Sequence, residues 1–331
     1  MNRKIKFLIS LGVCFLSAVL LSKGAQVLDQ RKHPLVSNLT CIETGDPADL
    51  YWKINQIELS GYINPDKRSA SIILSNNIPN FDSYYFRIDG NEQWQQSKNG
   101  RIVLEAGKGS HRIELKATNA LGGELPSIVR TINVTDHVVT VMPDEGKMES
   151  GSYCFRFEKP GSEKIAWLRE HTLPVIAACP NQWDAFLTLR AWVRKQIPNR
   201  HPAMKSRWDA QRILQAVWND PSLGFICDAY AATYVSSCAS VGHNARMIHL
   251  GDGDNNGHYA AEVWSDGLNK WIFMDPLYDC HFSLADTPLS AIELHNVWKQ
   301  GSMREIAIHG AGGAVAKGVA PSRDLSLIHI S

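Results

Sequence analysis

The stretch PSLGFICDAYAATYVSSCASVG occupies residues 221–242, and its cysteine at position 227 follows a turn that contains Gly224. From Asp228 onward, apolar residues recur with the spacing of an α-helix, and Gly242 stands where a helix C-cap is expected. The pattern therefore predicts a helix that begins at the cysteine. Free N–H groups and the helix dipole at that end favour a negative charge on a thiol. Considered alone, however, a cysteine at a helix start is more often structural.

The segments that follow this helix change the interpretation of Cys227. Three strand-like segments occupy residues 244–250, 258–264 and 270–276. The second begins with His258, and the third ends in Asp275 before a proline. Because a short turn joins these two strands, an antiparallel hairpin would place His258 beside Asp275. A helix that packs across the sheet would then bring Cys227 to His258.

These three residue types are those that acyl chemistry at a thiol requires. A thiolate attacks an amide or acyl carbonyl, and a histidine takes the thiol proton and later protonates the leaving amine. A carboxylate fixes the imidazole tautomer and stabilises its charged form. The predicted catalytic residues are therefore Cys227 as the nucleophile, His258 as the base and Asp275 as the orienting group.

The motifs GFICDAY, SVGHNARMIHL, GHYAAEVW and KWIFMDP occur in this order along the chain. Together they resemble the transglutaminase-like superfamily over roughly residues 180–280. The resemblance implies a papain-like α+β fold, with helices packed on an antiparallel sheet, and assigns the same three catalytic roles. Two departures stand out. Asp228 directly follows the cysteine and would oppose a thiolate unless it points away, and Tyr259 precedes Ala260 where Ala-Trp is commoner.

Three further residues are candidates for the same site. The resemblance implies an oxyanion hole made of the backbone N–H of Cys227 and an upstream donor, for which we choose Trp208, although Trp208 could also be a core residue. Arg246 could bind a substrate carboxylate or pair with a structural acid. Tyr259 is a candidate for the substrate pocket.

No cofactor and no metal are expected at this site. His281 lies near Asp279 and Cys280, but one loop with such residues lacks the ligand spacing of a zinc site. The loop GDGDNNG contains Asp252 and Asp254, but no glutamate follows at the spacing of a calcium loop.

Residues 51–136 show short alternating segments that turn signals separate, which predicts a β-sandwich. The residues from Tyr84 to Gly122 resemble the immunoglobulin-like three-tyrosine domain that is found beside bacterial sensor modules. A generic sandwich spacer is the alternative. The expected fold class is therefore α+β, with an immunoglobulin-like sandwich followed by a papain-like domain over residues 160–324.

The two ends of the chain carry segments that belong to neither of the predicted domains. Residues 1–26 join basic residues to an apolar run, which predicts a signal peptide or membrane anchor and an extracytoplasmic protein, whether periplasmic, surface-bound or secreted. LSLIHIS, residues 325–331, resembles the translation of a sequencing adapter, so we expect the native domain to continue beyond 324. The seven cysteines leave disulfide pairing open.

The net charge of +1 supplies no basic surface for nucleic acid. The expected partners are a peptide or protein substrate, a protein partner of the β-sandwich, and a membrane only through the N-terminal segment. A peptidase or amidase is the favoured function. A glutamine acyltransferase that crosslinks proteins and an inactive binding or surface-assembly protein are the alternatives.

Overall fold

The computed structural model describes residues 8–12, 41–42, 51–64, 69–105, 108–143, 147–149, 159, 161–202, 204–251, 257–313 and 315–317. Most of the predicted N-terminal targeting segment, the tail 325–331, Asp252 and Asp254 lie outside these residues. The chain divides into two compact units. One contains Trp52–Ser152 with Asp266–Leu268, and the other contains the remaining residues.

The helices are α1 (Glu163–Ile176), α2 (Gln182–Gln196), α3 (Ala210–Asn219), α4 (Cys227–Ser240) and α5 (Ala291–Lys299). Asn181 caps α2, because its side chain accepts a hydrogen bond from the Asp184 N–H. Ser290 and Glu293 form a capping box at the start of α5. Within the described ranges, no helix has both the length and the apolar character that crossing a bilayer requires.

The strands are β1 (Leu8–Gly12), β2 (Cys41–Ile42), β3 (Ile57–Ile63), β4 (Ala70–Asn76), β5 (Phe81–Ile88), β6 (Gln95–Ser97), β7 (Arg101–Leu104), β8 (Gly109–Asn119), β9 (Ile128–Val134), β10 (Val139–Met142), β11 (Ala245–Gly251), β12 (Gly257–Ser265), β13 (Lys270–Met274), β14 (His281–Leu284), β15 (Thr287–Pro288), β16 (Ile306–His309) and β17 (Val315–Lys317). The unit that contains α1–α5 has two of the sheets. One is five-stranded, in the order β13-β12-β11-β1-β2, and the other is four-stranded, in the order β15-β14-β16-β17.

The antiparallel sheet β11–β13 is buried on both faces. On one face, Ala261 and Met274 are opposite each other in the β12–β13 register and pack into the core that α1–α4 line. On the other face, Ala260 and Phe273 pack into the core that contains Leu294 of α5. Side chains alternate between the two faces because the strand period is two residues. The predicted helix-on-sheet arrangement is confirmed, and the domain is α+β.

The other unit contains two antiparallel sheets, with the strand orders β10-β9-β8-β5-β6 and β3-β4-β7. Ile72 and Ile102 of the smaller sheet share one buried cluster with Tyr84, Ile113 and Ile132 of the larger sheet. The two sheets therefore enclose a common hydrophobic core. The immunoglobulin-like assignment of this unit stays a prediction.

Candidate active site

Cys227 is the first residue of α4, as the sequence predicted. The rest of this helix, from Ala229 to Ser240, is buried, so packing on all sides fixes the direction of its N-terminus. Gly224 allows the approach to the helix, because a Cβ there would lie 2.6 Å from the Pro198 carbonyl oxygen. The structure shows no acceptor within the described residues for the Cys227 N–H, as is normal for the first turn of a helix.

His258 and Asp275 are in direct contact. The Nε2–H of His258 donates to Oδ2 of Asp275 at 2.7 Å. The other oxygen, Oδ1, accepts from the N–H groups of Leu277 and Tyr278 at 3.0 and 3.1 Å. The turn after β13 therefore holds the Asp275 carboxylate, and that carboxylate in turn fixes the ring of His258.

The contact with Asp275 leaves Nδ1 of His258 for the thiol. Cys227 lies close enough to His258 for its hydrogen bonding and its charge to affect the pKa of the imidazole. Burial of the ring opposes its charged form, but the hydrogen bonds and charges of Asp275 and Cys227 outweigh burial and raise the pKa of His258 to about 10. The arrangement can therefore hold an imidazolium beside the sulfur at neutral pH.

The raised pKa of His258 has a measurable consequence. We expect NMR to show the His258 imidazolium persisting to about pH 10 in the wild-type protein. In Cys227→Ala the midpoint should fall, because the contact with the sulfur is lost. Since the folded pKa lies above the unfolded value, the stabilisation from this group is fully present below about pH 6.5 and is lost as the pH rises through about 10. A wild-type midpoint near 6.5, or equal midpoints in both proteins, would contradict this geometry.

The Asp228 carboxylate has partners upstream in the chain. Its Oδ2 accepts from the Ser206 hydroxyl at 2.6 Å and from the Trp208 indole N–H at 3.2 Å. Asp228 therefore holds the segment before α3, rather than capping α4 with its side chain.

This contact corrects the expected oxyanion role of Trp208. Its indole N–H is engaged by Asp228, so it is not an open donor for a developing oxyanion. The backbone of Arg207 and Trp208 is left-handed, with φ of 52° and 50°, and that conformation costs energy for residues other than glycine. The Trp208 ring lies 5.9 Å from the ring of Tyr259, measured between centroids.

Tyr259 and Tyr278 place aromatic rings near the candidate triad. Tyr259 directly follows His258 and contacts the ring of His249, at a centroid distance of 4.5 Å. The Tyr278 ring lies 5.6 Å from the His258 ring. A substrate-binding role for Tyr259 stays a prediction. The sequence motifs did not indicate Tyr278, although it lies only two residues after Pro276 of the Asp-Pro motif.

Arg246 is buried and paired with an acid, which corrects the expectation that it could bind a substrate carboxylate. Its Nε and Nη2 donate to Oε2 of Glu262 at 2.8 and 2.5 Å, and the side chains are only 3% and 0% exposed. The guanidinium packs against the rings of Tyr51 and Trp271, at 4.6 and 4.1 Å from their centroids. Arg246 therefore pairs with a structural acid within the sheet.

Removing the charge of Glu262 should destabilise this domain strongly. Glu262→Gln would leave the Arg246 cation buried without its counter-charge, which typically costs about 3–5 kcal/mol. As a control, Asp136→Asn disrupts the exposed pair with Lys108 and should cost about 0–1 kcal/mol. Urea unfolding followed by tryptophan fluorescence would measure both. Equal losses in the two variants would show that the buried pair has no special role.

The sequence model of the transglutaminase-like superfamily matches residues 170–276, a span that contains all three candidate catalytic residues. No curated protein matches the chain significantly.

Similar solved structures include the periplasmic domain of TgpA from Pseudomonas aeruginosa, bound to ethylmercury. It is 13% identical, with 69% of this chain and 91% of that chain covered and a TM-score of 0.29. A candidate cysteine protease from Cytophaga hutchinsonii is 11% identical, with coverages of 81% and 85% and a TM-score of 0.29. At these TM-scores neither structure adds to the argument. The family match and the order of the motifs together show that residues 170–276 belong to the transglutaminase-like superfamily.

Proposed function

We propose that this protein is a cysteine-dependent enzyme that cleaves amide bonds through a thioester intermediate. The observation that carries the proposal is the 2.7 Å hydrogen bond between His258 and Asp275, together with the nearby Cys227, which contributes to the raised pKa of His258. Membership of the transglutaminase-like superfamily supports the same chemistry. The proposal requires no cofactor.

In the first step, the sulfur of Cys227 attacks the carbonyl carbon of the amide. A carbon–sulfur bond forms as the carbonyl π bond opens, the proton given up by Cys227 stays on Nδ1 of His258, and the carbonyl oxygen takes the negative charge. The backbone N–H of Cys227 is a donor for that oxyanion. The imidazolium then protonates the leaving nitrogen as the carbon–nitrogen bond breaks. Asp275 holds the ring in the tautomer that leaves Nδ1 free as the acceptor.

In the second step, an acceptor attacks the thioester carbonyl carbon and gives its proton to His258, and the carbon–sulfur bond then breaks to release the sulfur of Cys227. Water would release a free acid and make the protein a peptidase or amidase. A primary amine would give a new amide, as in crosslinking of glutamine side chains. We favour hydrolysis because water is the default acceptor.

The substrate class that we propose is a peptide or protein outside the cytoplasm. The basic and apolar residues of the N-terminal segment support export. The two-sheet unit is proposed as an immunoglobulin-like module that contacts a protein partner. An inactive surface-assembly protein is the competing proposal, and it requires that the triad gives no turnover.

One assay tests the reaction and separates its two outcomes. The full chain would be incubated with peptide anilides and glutamine-containing peptides, with and without a primary amine, and the products analysed by mass spectrometry. We expect free acid to predominate even when the amine is present. A predominant amine adduct would instead favour the acyltransferase. Absence of turnover on all substrates, together with an unreactive Cys227, would overturn the enzyme proposal.

A further inference from the structure

A cavity of about 600 Å³ lies among α2, β14 and β16. Its volume is that of a small-molecule site. The walls combine apolar and polar side chains, among them Trp183, Leu187, Pro288, Arg190, Asp279 and His281. Cys227, His258 and Asp275 do not line it. The proposed catalytic reaction therefore gives this cavity no role.

A buried ion pair forms the polar wall of the cavity. The Nε of Arg190 donates to Oδ1 of Asp279 at 2.8 Å, and the two side chains are 4% and 8% exposed. Within the described residues, Nη2 of Arg190 and Oδ2 of Asp279 have no hydrogen-bond partner. A buried ion pair is weak evidence for a purely stabilising role, since apolar replacements are often equally stable. This pair leaves a cationic donor and an anionic acceptor unused in the wall.

His281 adds a second donor to the same wall. Its Nδ1 accepts from Nη1 of Arg190 at 2.9 Å, because a guanidinium can only donate. Burial lowers the pKa of His281 to about 3, with further contributions from Arg190 and His309, so the ring is neutral at physiological pH. Its proton is therefore on Nε2, which has no partner among the described residues. Ser283 and His309, joined by a hydrogen bond of 2.7 Å, complete this side.

We propose that the cavity binds a small zwitterion, specifically an α-amino acid with an apolar side chain. The ligand carboxylate would accept from Nη2 of Arg190 and Nε2 of His281. The ligand ammonium would donate to Oδ2 of Asp279, with Asp286 as a second carboxylate in the lining. The apolar side chain would pack against Trp183 and Leu187.

The balance of charges in the cavity is the reason for choosing a zwitterion. Asp279 already offsets the charge of Arg190, and Asp286 adds a second negative charge. A simple anion would therefore meet two carboxylates without a compensating ammonium. A simple cation would leave the donors of Arg190 and His281 desolvated and unpaired, which is costly. A ligand with a carboxylate and an ammonium can pair with the donors of Arg190 and His281 and also with the carboxylates.

Three matched probes test this proposal by calorimetry on the full chain. L-Leucine carries both charges, 4-methylpentanoate lacks the ammonium, and 3-methylbutylamine lacks the carboxylate. We expect leucine to bind at least about tenfold more tightly than either of the others. Absence of leucine binding at millimolar concentration, or equal binding of all three probes, would overturn the proposal.

Two variants place the binding in this cavity. Ala191 lines it, so Ala191→Phe should abolish leucine binding, whereas Ala166→Phe, at an exposed position on α1, should leave it unchanged. If Ala191→Phe fails to fold, the exposed Asp286→Asn should weaken leucine binding several-fold without weakening that of 4-methylpentanoate. Leucine binding that is unchanged in Ala191→Phe, or in Asp286→Asn where Ala191→Phe does not fold, would exclude this cavity. Cys227→Ala should bind leucine like the wild type, so the result does not depend on the proposed enzyme activity.

Discussion

Cys227→Ala is expected to abolish amide turnover while leaving the fold intact. The substitution removes the only sulfur that contacts His258 in the described structure, so no thioester can form there. The side chain is half-buried at the start of α4, and its loss should change the free energy of unfolding by about 1 kcal/mol or less. Product formation from peptide anilides, with circular dichroism as a check of folding, measures both effects.

The other cysteines provide the control for this result. The four cysteines whose side chains the structure describes are free thiols. Burial raises the pKa of Cys238 to about 12 and also raises that of Cys280. Cys179 is half-buried like Cys227, but among the described residues its thiol bonds only to Thr188, so Cys179→Ala should retain full turnover. If Cys227→Ala kept wild-type activity, or if Cys179→Ala lost it, the nucleophile would be misassigned.

Asp275→Asn should lower turnover by about four orders of magnitude, as removal of the orienting carboxylate does in other triads. The asparagine could keep its carbonyl oxygen on the Leu277 and Tyr278 N–H groups, so its NH₂ would face Nε2 of His258. His258 would then accept at Nε2 and carry its proton on Nδ1. In that tautomer it cannot take the proton of Cys227.

Steady-state kinetics and NMR together test this explanation. The loss should be in kcat, with KM nearly unchanged, because Asp275 acts through the ring of His258. The pKa of His258 should also fall, because the hydrogen bond and the charge of Asp275 both raise it. Glu170→Gln, at an exposed carboxylate on α1, serves as the control and should change neither quantity. An unchanged kcat in Asp275→Asn would make Asp275 an ordinary strand-end residue.

Much of this site could be predicted from the sequence because its parts have local signals. Helical spacing and Gly242 located α4, and Gly242 indeed has a positive φ of 87° just beyond the helix. Alternation and a short turn located β12 and β13, which place His258 beside Asp275. The order of the motifs then identified the family, which the family match confirms.

The directions of the surrounding side chains could not be predicted, because each depends on a partner that is distant in sequence. Asp228 points to Ser206 and Trp208, and this contact removes Trp208 as an open oxyanion donor. Arg246 is enclosed by Glu262 and by two aromatic rings.

The sequence also contains no local pattern that predicts the wall of the cavity. It is formed when Arg190 of α2 meets Asp279, a residue that lies 89 positions later in the chain. Such long-range pairs follow from the packing of α2 beside the turn after β13.

Trapping of the acyl-enzyme tests the central claim most directly. The full chain would be mixed with an activated acyl donor, quenched in acid within seconds, digested and analysed by mass spectrometry. We predict that the acyl group is found on the peptide that contains Cys227, and that it disappears in Cys227→Ala. An acyl group on Cys179, Cys238 or Cys280 during turnover, or turnover without any acylated cysteine, would contradict the proposed mechanism.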